Sequence, residues 1–387
     1  MANSAEILIK LVGNGVFDAP LSLPAGTVMT DGLLSQVFDL AKAHDVVHIV
    51  TFALVKNNLL FGSAFEGAYR EEMYDAVIKS ENLSFTLKNV CTAFEEEKII
   101  HIPLKGSVIK ELYPESWLRT SRDIDVLIHK EDLPKAERKL CSIGFEKMNE
   151  GKHDVLFVNA HKVCLELHFT LMEEEKSKFF AGIPDRVWDF AASQNGGCTY
   201  ALSDKMFYFY HIAHMAKHFK AGGCGLRPFV DLWLMNKAKN YRTAEAEALL
   251  KKGGLLDFER QAVELCRVWF EGTEHNEVTL AAEEFIFKGG LFGSTKTRVA
   301  ALSQLHGSDK KYFLSRSFVP YDYLKNIYPI LKKHKFLLPV FEIVRIFTLL
   351  FGNKKELRKR NVNTAKNINN EEAERLKLVF DSFGLKK

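Results

Sequence analysis

The sequence predicts an α+β protein: a small mixed sheet flanked by N-terminal helices and a larger C-terminal helical region. Three observations carry this reading. Apolar residues recur at spacings of three and four over much of residues 1–95. From about residue 98 to 170 the pattern changes to short apolar strands alternating with short helices, in the succession β-α-β-α-β-β. From Glu173 onward helical periodicity returns. With 387 residues, 47% apolar and 26% charged, the chain has a globular balance and room for two or three domains. The expected divisions are 1–97, 98–172, 173–304 and 305–387.

In the first region, helices are expected over Leu34 to Ala43, Phe65 to Lys79 and Phe85 to Ile99. Pro20, Pro24 and Gly26 mark a loop from Asp18 to Thr30. In the second, His101 to Gly106 reads as a short strand ending at a glycine, and Ser107 to Leu112 as a short helix. Asp123-Ile-Asp-Val-Leu-Ile128 is an apolar strand with two polar positions two apart. Lys130 to Ile143 reads as a helix stopped near Gly144. Asp154 to Asn159 and Lys162 to Phe169 read as strands joined by a tight turn. In the third, Ser203 is placed to cap a helix from Asp204 to Lys220, and Gly222 to Gly225 breaks it. Helices then follow over Arg227 to Lys239, Arg242 to Lys251 and Phe258 to Phe270, with a glycine-rich break at Lys288 to Gly293. Residues 305–387 are expected to be helical and hold about eighteen Lys and Arg against eight Asp and Glu.

Composition excludes several classes of function. A formal net charge of +4 is too small for a polyanion-binding arm. The six cysteines are scattered, without a CxxC pair, and read as reduced thiols rather than a disulfide framework. The start MANSAEILIK lacks the pattern of a signal peptide. The longest apolar stretch, Lys335 to Phe351, is interrupted by Glu342 and Arg345. The expectation is a cytoplasmic protein without stable membrane insertion.

The chemistry concentrates in 98–172. Side chains two apart on a strand share a face, so Asp123 and Asp125 point one way and Ile124 and Val126 the other. Glu166 and His168 share a face in the same manner, opposite Leu165 and Leu167. Two aspartates on one face of a buried strand repel each other, and a divalent cation removes that conflict. Mg²⁺ prefers carboxylate and phosphate oxygens. A third carboxylate completes a site for two ions, which can hold the attacking and leaving oxygens of a phosphoryl displacement. Upstream, Lys105, Gly106 and Ser107 sit between a strand end and a helix start, where backbone N–H groups, a hydroxyl and an ammonium can meet a phosphate.

Other residues carry two readings each. Arg119 and Arg122 precede the aspartate strand and either contact phosphate or pair with a surface carboxylate. His211, His214 and His218 lie on one helix face, where they can reach substrate, hold zinc or simply pack. Arg227 and Asp231, four apart, either pair on a helix or border the same cleft. His168 either orients Glu166, contacts substrate or is structural. The aromatic run Phe207 to Tyr210 reads as core or domain interface.

The segments LKG, YP, DIDVLI, GF and ELHF together carry a family resemblance. The pattern resembles the nucleotidyltransferase superfamily of the DNA polymerase β type, with its Gly-Ser turn, D-x-D strand and later strand carboxylate. More narrowly, it is similar to the uncharacterised bacterial nucleotidyltransferase family labelled NTP_transf_5. The resemblance covers about 98–170, and more loosely extends to the His211–His218 helix and Gly225 to Asp231. It implies that 98–172 is a catalytic core with Asp123, Asp125 and Glu166 as metal ligands for Mg²⁺ or Mn²⁺, Glu166 being a ligand or a base. It implies that Gly106 and Ser107 hold the triphosphate of an NTP, whose NMP passes to an acceptor with release of pyrophosphate. The acceptor stays open: a small molecule, a peptide or protein side chain, or a tRNA end. A non-catalytic nucleotide-binding or interaction protein on the same core is the alternative. One departure is the fifteen-residue separation of Ser107 from Asp123, longer than in most of the superfamily.

Overall fold

The computed structural model describes residues 4–17, 19–172, 180–290, 321, 324, 328–351 and 370–385. The chain divides into two compact units: Met1–Ala216 with Leu226–Glu274, and Lys217–Gly225 with His275–Lys387. Much of the expected basic region 305–387, part of the break at Lys288 to Gly293, and residues 173–179 lie outside the described residues.

The first unit opens with helices α1 (Ser4–Phe17), α2 (Asp31–His44) and α3 (Val47–Lys56). Helices α1 and α3 approach so closely at Gly15 that a Cβ there would lie 2.9 Å from the Ile49 carbonyl oxygen. The Thr30 hydroxyl accepts from the Leu33 N–H to start α2, and Asp45, with φ 57°, ends it in the left-handed conformation. Helix α4 (Glu66–Glu96) is one element where the sequence pattern predicts two. The stretch Ser80 to Ser84, with Leu83 its single apolar residue, interrupts the apolar spacing, but it contains no Gly or Pro to stop the backbone ladder.

The sheet comprises β1 (His101–Pro103), β2 (Asp123–Ile128), β3 (Phe145–Glu150), β4 (Asp154–Asn159) and β5 (Cys164–His168). Their spatial order is β1-β2-β5-β4-β3. The β2–β5 pair is parallel and the other three are antiparallel. A one-turn helix, α5 (Gly106–Ile109), follows β1, and α6 (Leu133–Ser142) follows β2. One sheet face buries Ile124, Val126, Leu165, Leu167 and Phe157 against Val90 and Phe94 of α4 and Ala136 and Leu140 of α6. Each of the larger side chains among these contributes ~1.5–3 kcal/mol on burial. Strand register is therefore strongly determined, and the polar set must occupy the other face.

Two β features depart from the sequence expectation. Strand β3 is an edge strand whose only buried residue is Phe145, so it carries no apolar alternation to read. A hairpin, β6 (Ala191–Ser193) with β7 (Tyr200–Leu202), stands where helix was expected. Its turn is tied to the end of α4: Glu95 accepts from Cys198 N–H (2.8 Å), Thr199 N–H (2.7 Å) and Thr199 Oγ1 (2.6 Å).

Helices α7 (Asp204–Lys220), α8 (Arg227–Lys237), α9 (Ala244–Lys252) and α10 (Leu256–Glu271) follow close to their expected bounds. The cap of α9 is Thr243, whose hydroxyl accepts from Ala246 N–H. In the second unit, α11 (Glu277–Gly289) begins with a reciprocal cap between Asn276 and Thr279. Phe219, Phe285, Phe380 and Phe383 cluster there, and Arg375 of α13 (Asn370–Ser382) pairs with Glu284 at 2.9 Å. Helix α12 (Leu338–Phe351) has 14 residues. At 1.5 Å per residue it is about 21 Å long, short of a bilayer core of about 30 Å. Among the described residues no helix is long and apolar enough to cross a membrane.

Candidate active site

The parallel register pairs Asp125 with Glu166 and Leu127 with His168. Asp123, Asp125, Glu166 and His168 therefore share the sheet face opposite the apolar core. Asp125 is buried, and Glu166 is half-buried beside it. Ligand atoms of Asp125, Glu166 and His168 all lie within 4.8 Å of one another. Asp123, at the open end of β2, sits next to this group without belonging to it at that distance.

Two nitrogen donors meet on one oxygen. Lys105 Nζ donates to Asp125 Oδ1 at 2.6 Å, and His168 Nε2 lies 2.8 Å from the same atom. The imidazole is also 3.4 Å from Glu166 Oε2. Burial acts to raise the Asp125 pKa, but Lys105 and His168 outweigh it and hold the carboxyl below its usual range. The His168 hydrogen bond holds Glu166 low as well. Burial opposes charge on His168, yet its bonds to Asp125 and Glu166 raise it overall. Asp123 goes the other way: burial, then Asp125 and Glu166, push it up. Three carboxylates thus face one lysine and one imidazole, which leaves the cluster short of positive charge. A donor set of carboxylates and one imidazole, with one carboxyl destabilised by its neighbours, fits a hard divalent ion such as Mg²⁺ or Mn²⁺.

The Lys105-Gly106-Ser107 turn is joined to this strand, since Leu104 N–H donates to the Asp125 carbonyl oxygen at 3.0 Å. Lys105 has φ 51° and ψ −122°, a conformation that L-residues rarely adopt and that signals local strain. Gly106 has no room for a side chain: a Cβ would fall 1.9 Å from Ser121 Oγ and 3.4 Å from Arg119 Nη1. The helix after the turn is a single turn long, so its dipole contributes little. Side chains must supply most of any anion contact. A cleft beside the turn is lined by Ser80, Leu83, Ser84, Leu87, Gly106, Ser107, Lys110, Arg119, Ser121 and Asp123.

The remaining candidates separate into distinct places. Arg119 borders the cleft, but its guanidinium is held by Asp231: Nε to Oδ1 at 2.7 Å and Nη2 to Oδ2 at 2.8 Å. Tyr113 also donates to Asp231 Oδ1, at 2.7 Å. Arg227 and Asp231 do not pair with each other; Arg227 Nη1 reaches Asp45 Oδ2 at 2.7 Å. The left-handed end of α2 thus presents Asp45 to α8. His211 lies beside the Arg119–Asp231 pair with Nε2 3.0 Å from the Pro228 carbonyl oxygen, and burial lowers its pKa. Arg122 is exposed at the start of β2. His214 is 6.2 Å from Tyr210 ring to ring, and His218 belongs to the second unit.

Three residues near the site were not singled out from the sequence. Lys110 lines the cleft with its Nζ donating to Ser84 Oγ at 2.7 Å, and among the described residues no carboxylate pairs with it. Ser121 backs Gly106. Tyr210, read as core, is buried but close enough to act electrostatically on Lys105, Asp125 and Glu166, and burial pushes its phenol up to about 12. The helical phase of Lys110 after the Gly-Ser turn was an available signal. The other two depend on tertiary packing.

A parallel strand pair carrying carboxylates beside a Gly-Ser turn, inside a helical frame, defines a nucleotidyltransferase-like core. The chain belongs to the family described as Uncharacterised nucleotidyltransferase (NTP_transf_5), whose profile matches residues 34–271. That span runs from within α2 to the end of α10 and includes Asp45, Arg119, Arg227 and Asp231 together with the strand carboxylates. Among curated proteins none matches the chain.

Proposed function

We propose that the protein is a divalent-metal-dependent nucleotidyltransferase that moves an NMP from an NTP to an acceptor and releases pyrophosphate. The observation that supports it most is the β2–β5 register, which sets Asp125 beside Glu166 on the face next to the Lys105-Gly106-Ser107 turn. Asp123, Asp125 and Glu166 are the residues to hold Mg²⁺ or Mn²⁺, with His168 fixing Asp125 and Glu166 from the same strand face. A bound ion there would neutralise the α-phosphate and the charge developing on the leaving pyrophosphate.

The chain's own groups do the rest. Ser107, Lys110 and Lys105 bind the triphosphate, and Gly106 lets it approach the backbone. Arg119 fixes the wall behind that turn. The acceptor oxygen attacks the α-phosphorus, forming one O–P bond and breaking the bond to the bridging oxygen. The hydroxyl proton passes to Glu166, more open to solvent than Asp125, with side-chain exposures of 33% and 5%. The acceptor is a small molecule, a peptide or protein side chain, or a tRNA end.

The test is pyrophosphate release from each of the four NTPs with Mg²⁺ or Mn²⁺, in the presence of small-molecule, protein and RNA fractions of a cell extract. Release that depends on one fraction and disappears in Asp125→Asn supports the reading and identifies the acceptor class. Nucleotide binding without release in any fraction would favour a nucleotide-binding protein on the same core.

A further inference from the structure

We propose that Lys105 is an exchangeable counter-cation, holding Asp125 until a triphosphate draws it away, so that divalent metal and nucleotide enter the site together. This rests on the metal-site reading of Asp125 given above. The geometry begins with a single oxygen. Asp125 Oδ1 is already engaged by Lys105 Nζ at 2.6 Å and His168 Nε2 at 2.8 Å. A carboxylate oxygen has two lone pairs, so an ion that takes Oδ1 must displace one of these donors.

Lys105 is the donor able to leave. His168 is a strand residue whose ring also meets Glu166 at 3.4 Å. Lys105 stands at a strand end, on a flexible four-carbon stem, with a quarter of its side chain exposed. Its backbone is in a left-handed conformation that its surroundings must maintain. Pulling the ammonium off Asp125 with nothing to receive it would leave a charge in a mostly buried place, which is strongly unfavourable. An anion on the adjoining Gly106-Ser107 turn, with Lys110 beyond it, is the receiver that changes this balance.

A metal that takes Oδ1 on its own therefore competes with Lys105, whereas the same metal with a triphosphate does not. By linkage, each ligand must strengthen the other's binding by the same factor. Lys105 is in this sense a positioning residue that couples the two ligands. It contacts the phosphate only after the exchange.

The experiment is Mn²⁺ titration of the full-length protein, followed by paramagnetic resonance and calorimetry, with and without an α,β-methylene NTP analogue. Wild type is compared with Lys105→Met and with Lys105→Gln, which keeps hydrogen-bonding capacity should the first variant fold poorly. The variants should bind Mn²⁺ alone more tightly than wild type, by about ten- to a hundred-fold, the range over which neighbours of a metal site act. The strengthening of Mn²⁺ binding by the analogue should shrink by a similar factor. Equal or weaker Mn²⁺ binding in both variants, at a site that Asp125→Asn abolishes, would overturn the exchange and leave the metal site standing. Absence of any Asp125-dependent Mn²⁺ binding, with or without the analogue, would overturn both.

Discussion

Arg119 and Asp231, 112 residues apart in sequence, form a two-pronged ion pair with side-chain exposures of 11% and 1%. The third nitrogen, Nη1, donates to the Thr120 carbonyl oxygen at 2.6 Å. The guanidinium that closes off Gly106 is thus gripped from behind by helix α8. The pair ties the proposed triphosphate turn to the helices that follow the sheet.

Removing one half of this pair should be far worse than removing an exposed one. Asp231→Ala strands a buried guanidinium and leaves the Tyr113 hydroxyl without its acceptor. The expected loss is about 3–5 kcal/mol of folding stability, the range for a broken buried pair. Asp231→Asn keeps an acceptor and should lose less. Denaturant unfolding of both variants checks the order, and equal losses would show that the charge, which both variants remove, carries the effect and that the retained acceptor adds nothing.

That pair also marks where the sequence stops being legible. The shared face of Asp123 and Asp125 follows from strand alternation, as does that of Glu166 and His168, because apolar partners alternate with them. The parallel register that sets Asp125 against Glu166 is a tertiary fact, determined by the core beneath. Asp231 was visible as a charged residue four from Arg227, yet its partner lies in a loop before β2. Strand β3 escaped because five of its six residues are exposed and nothing alternates. The β6–β7 hairpin has three-residue strands, too short for a period to show. Lys110 and Ser84 meet only because α4 runs unbroken past the turn.

Gly106→Ala should disrupt nucleotide binding by a mechanism that a second substitution can test. The new Cβ would meet Ser121 Oγ at 1.9 Å and Ser121 Cβ at 3.2 Å. Forcing this contact should cost about 1–3 kcal/mol of stability, as overpacking does elsewhere. Ser121→Gly removes both atoms. The double variant should regain most of the lost stability and part of the nucleotide affinity, measured by calorimetry with a non-hydrolysable NTP. No recovery would mean that the glycine is needed for a reason other than space.

Lys110→Met should weaken binding of the triphosphate while leaving Mn²⁺ binding to the carboxylates intact. A charge-assisted hydrogen bond is worth ~1.5–3 kcal/mol, so affinity should fall by about ten- to a hundred-fold. A nucleoside without phosphates should bind wild type and variant equally. Unchanged NTP affinity would remove Lys110 from the site.

Glu95 gives a pH test independent of catalysis. The Thr199 hydroxyl and the Cys198 and Thr199 N–H groups hold its carboxyl down to about 2, against an ordinary 4.5. A carboxyl depressed in the folded state contributes stability that is present above its unfolded pKa and lost as pH falls through the folded one. Glu95→Gln should therefore be less stable than wild type at neutral pH, and the difference should narrow between about pH 4.5 and pH 2. Unfolding free energies across that range would show a constant gap if the ionised carboxylate were not the stabilising form.

Asp123→Asn should move stability and activity in opposite directions. Its carboxyl is pushed up by burial and then by Asp125 and Glu166, so the ionised form is held at a disadvantage in the metal-free protein. For an acid raised in the folded state, stability increases as pH falls and the carboxyl protonates; at neutral pH the charge is a burden. Asparagine has the same shape without that charge, so the metal-free variant should melt at a higher temperature at neutral pH, and the gain should fade in acid. Pyrophosphate release should fall by about 10²–10³-fold, the scale on which loss of a preorganised electrostatic group acts. Functional sites are where such destabilising arrangements persist, because the bound ligand relieves them. Adding Mn²⁺ should then raise the melting temperature of wild type more than that of the variant. A variant that melts lower than wild type without metal, yet keeps its turnover, would make Asp123 a structural residue and leave Asp125 and Glu166 as the carboxylates of the site.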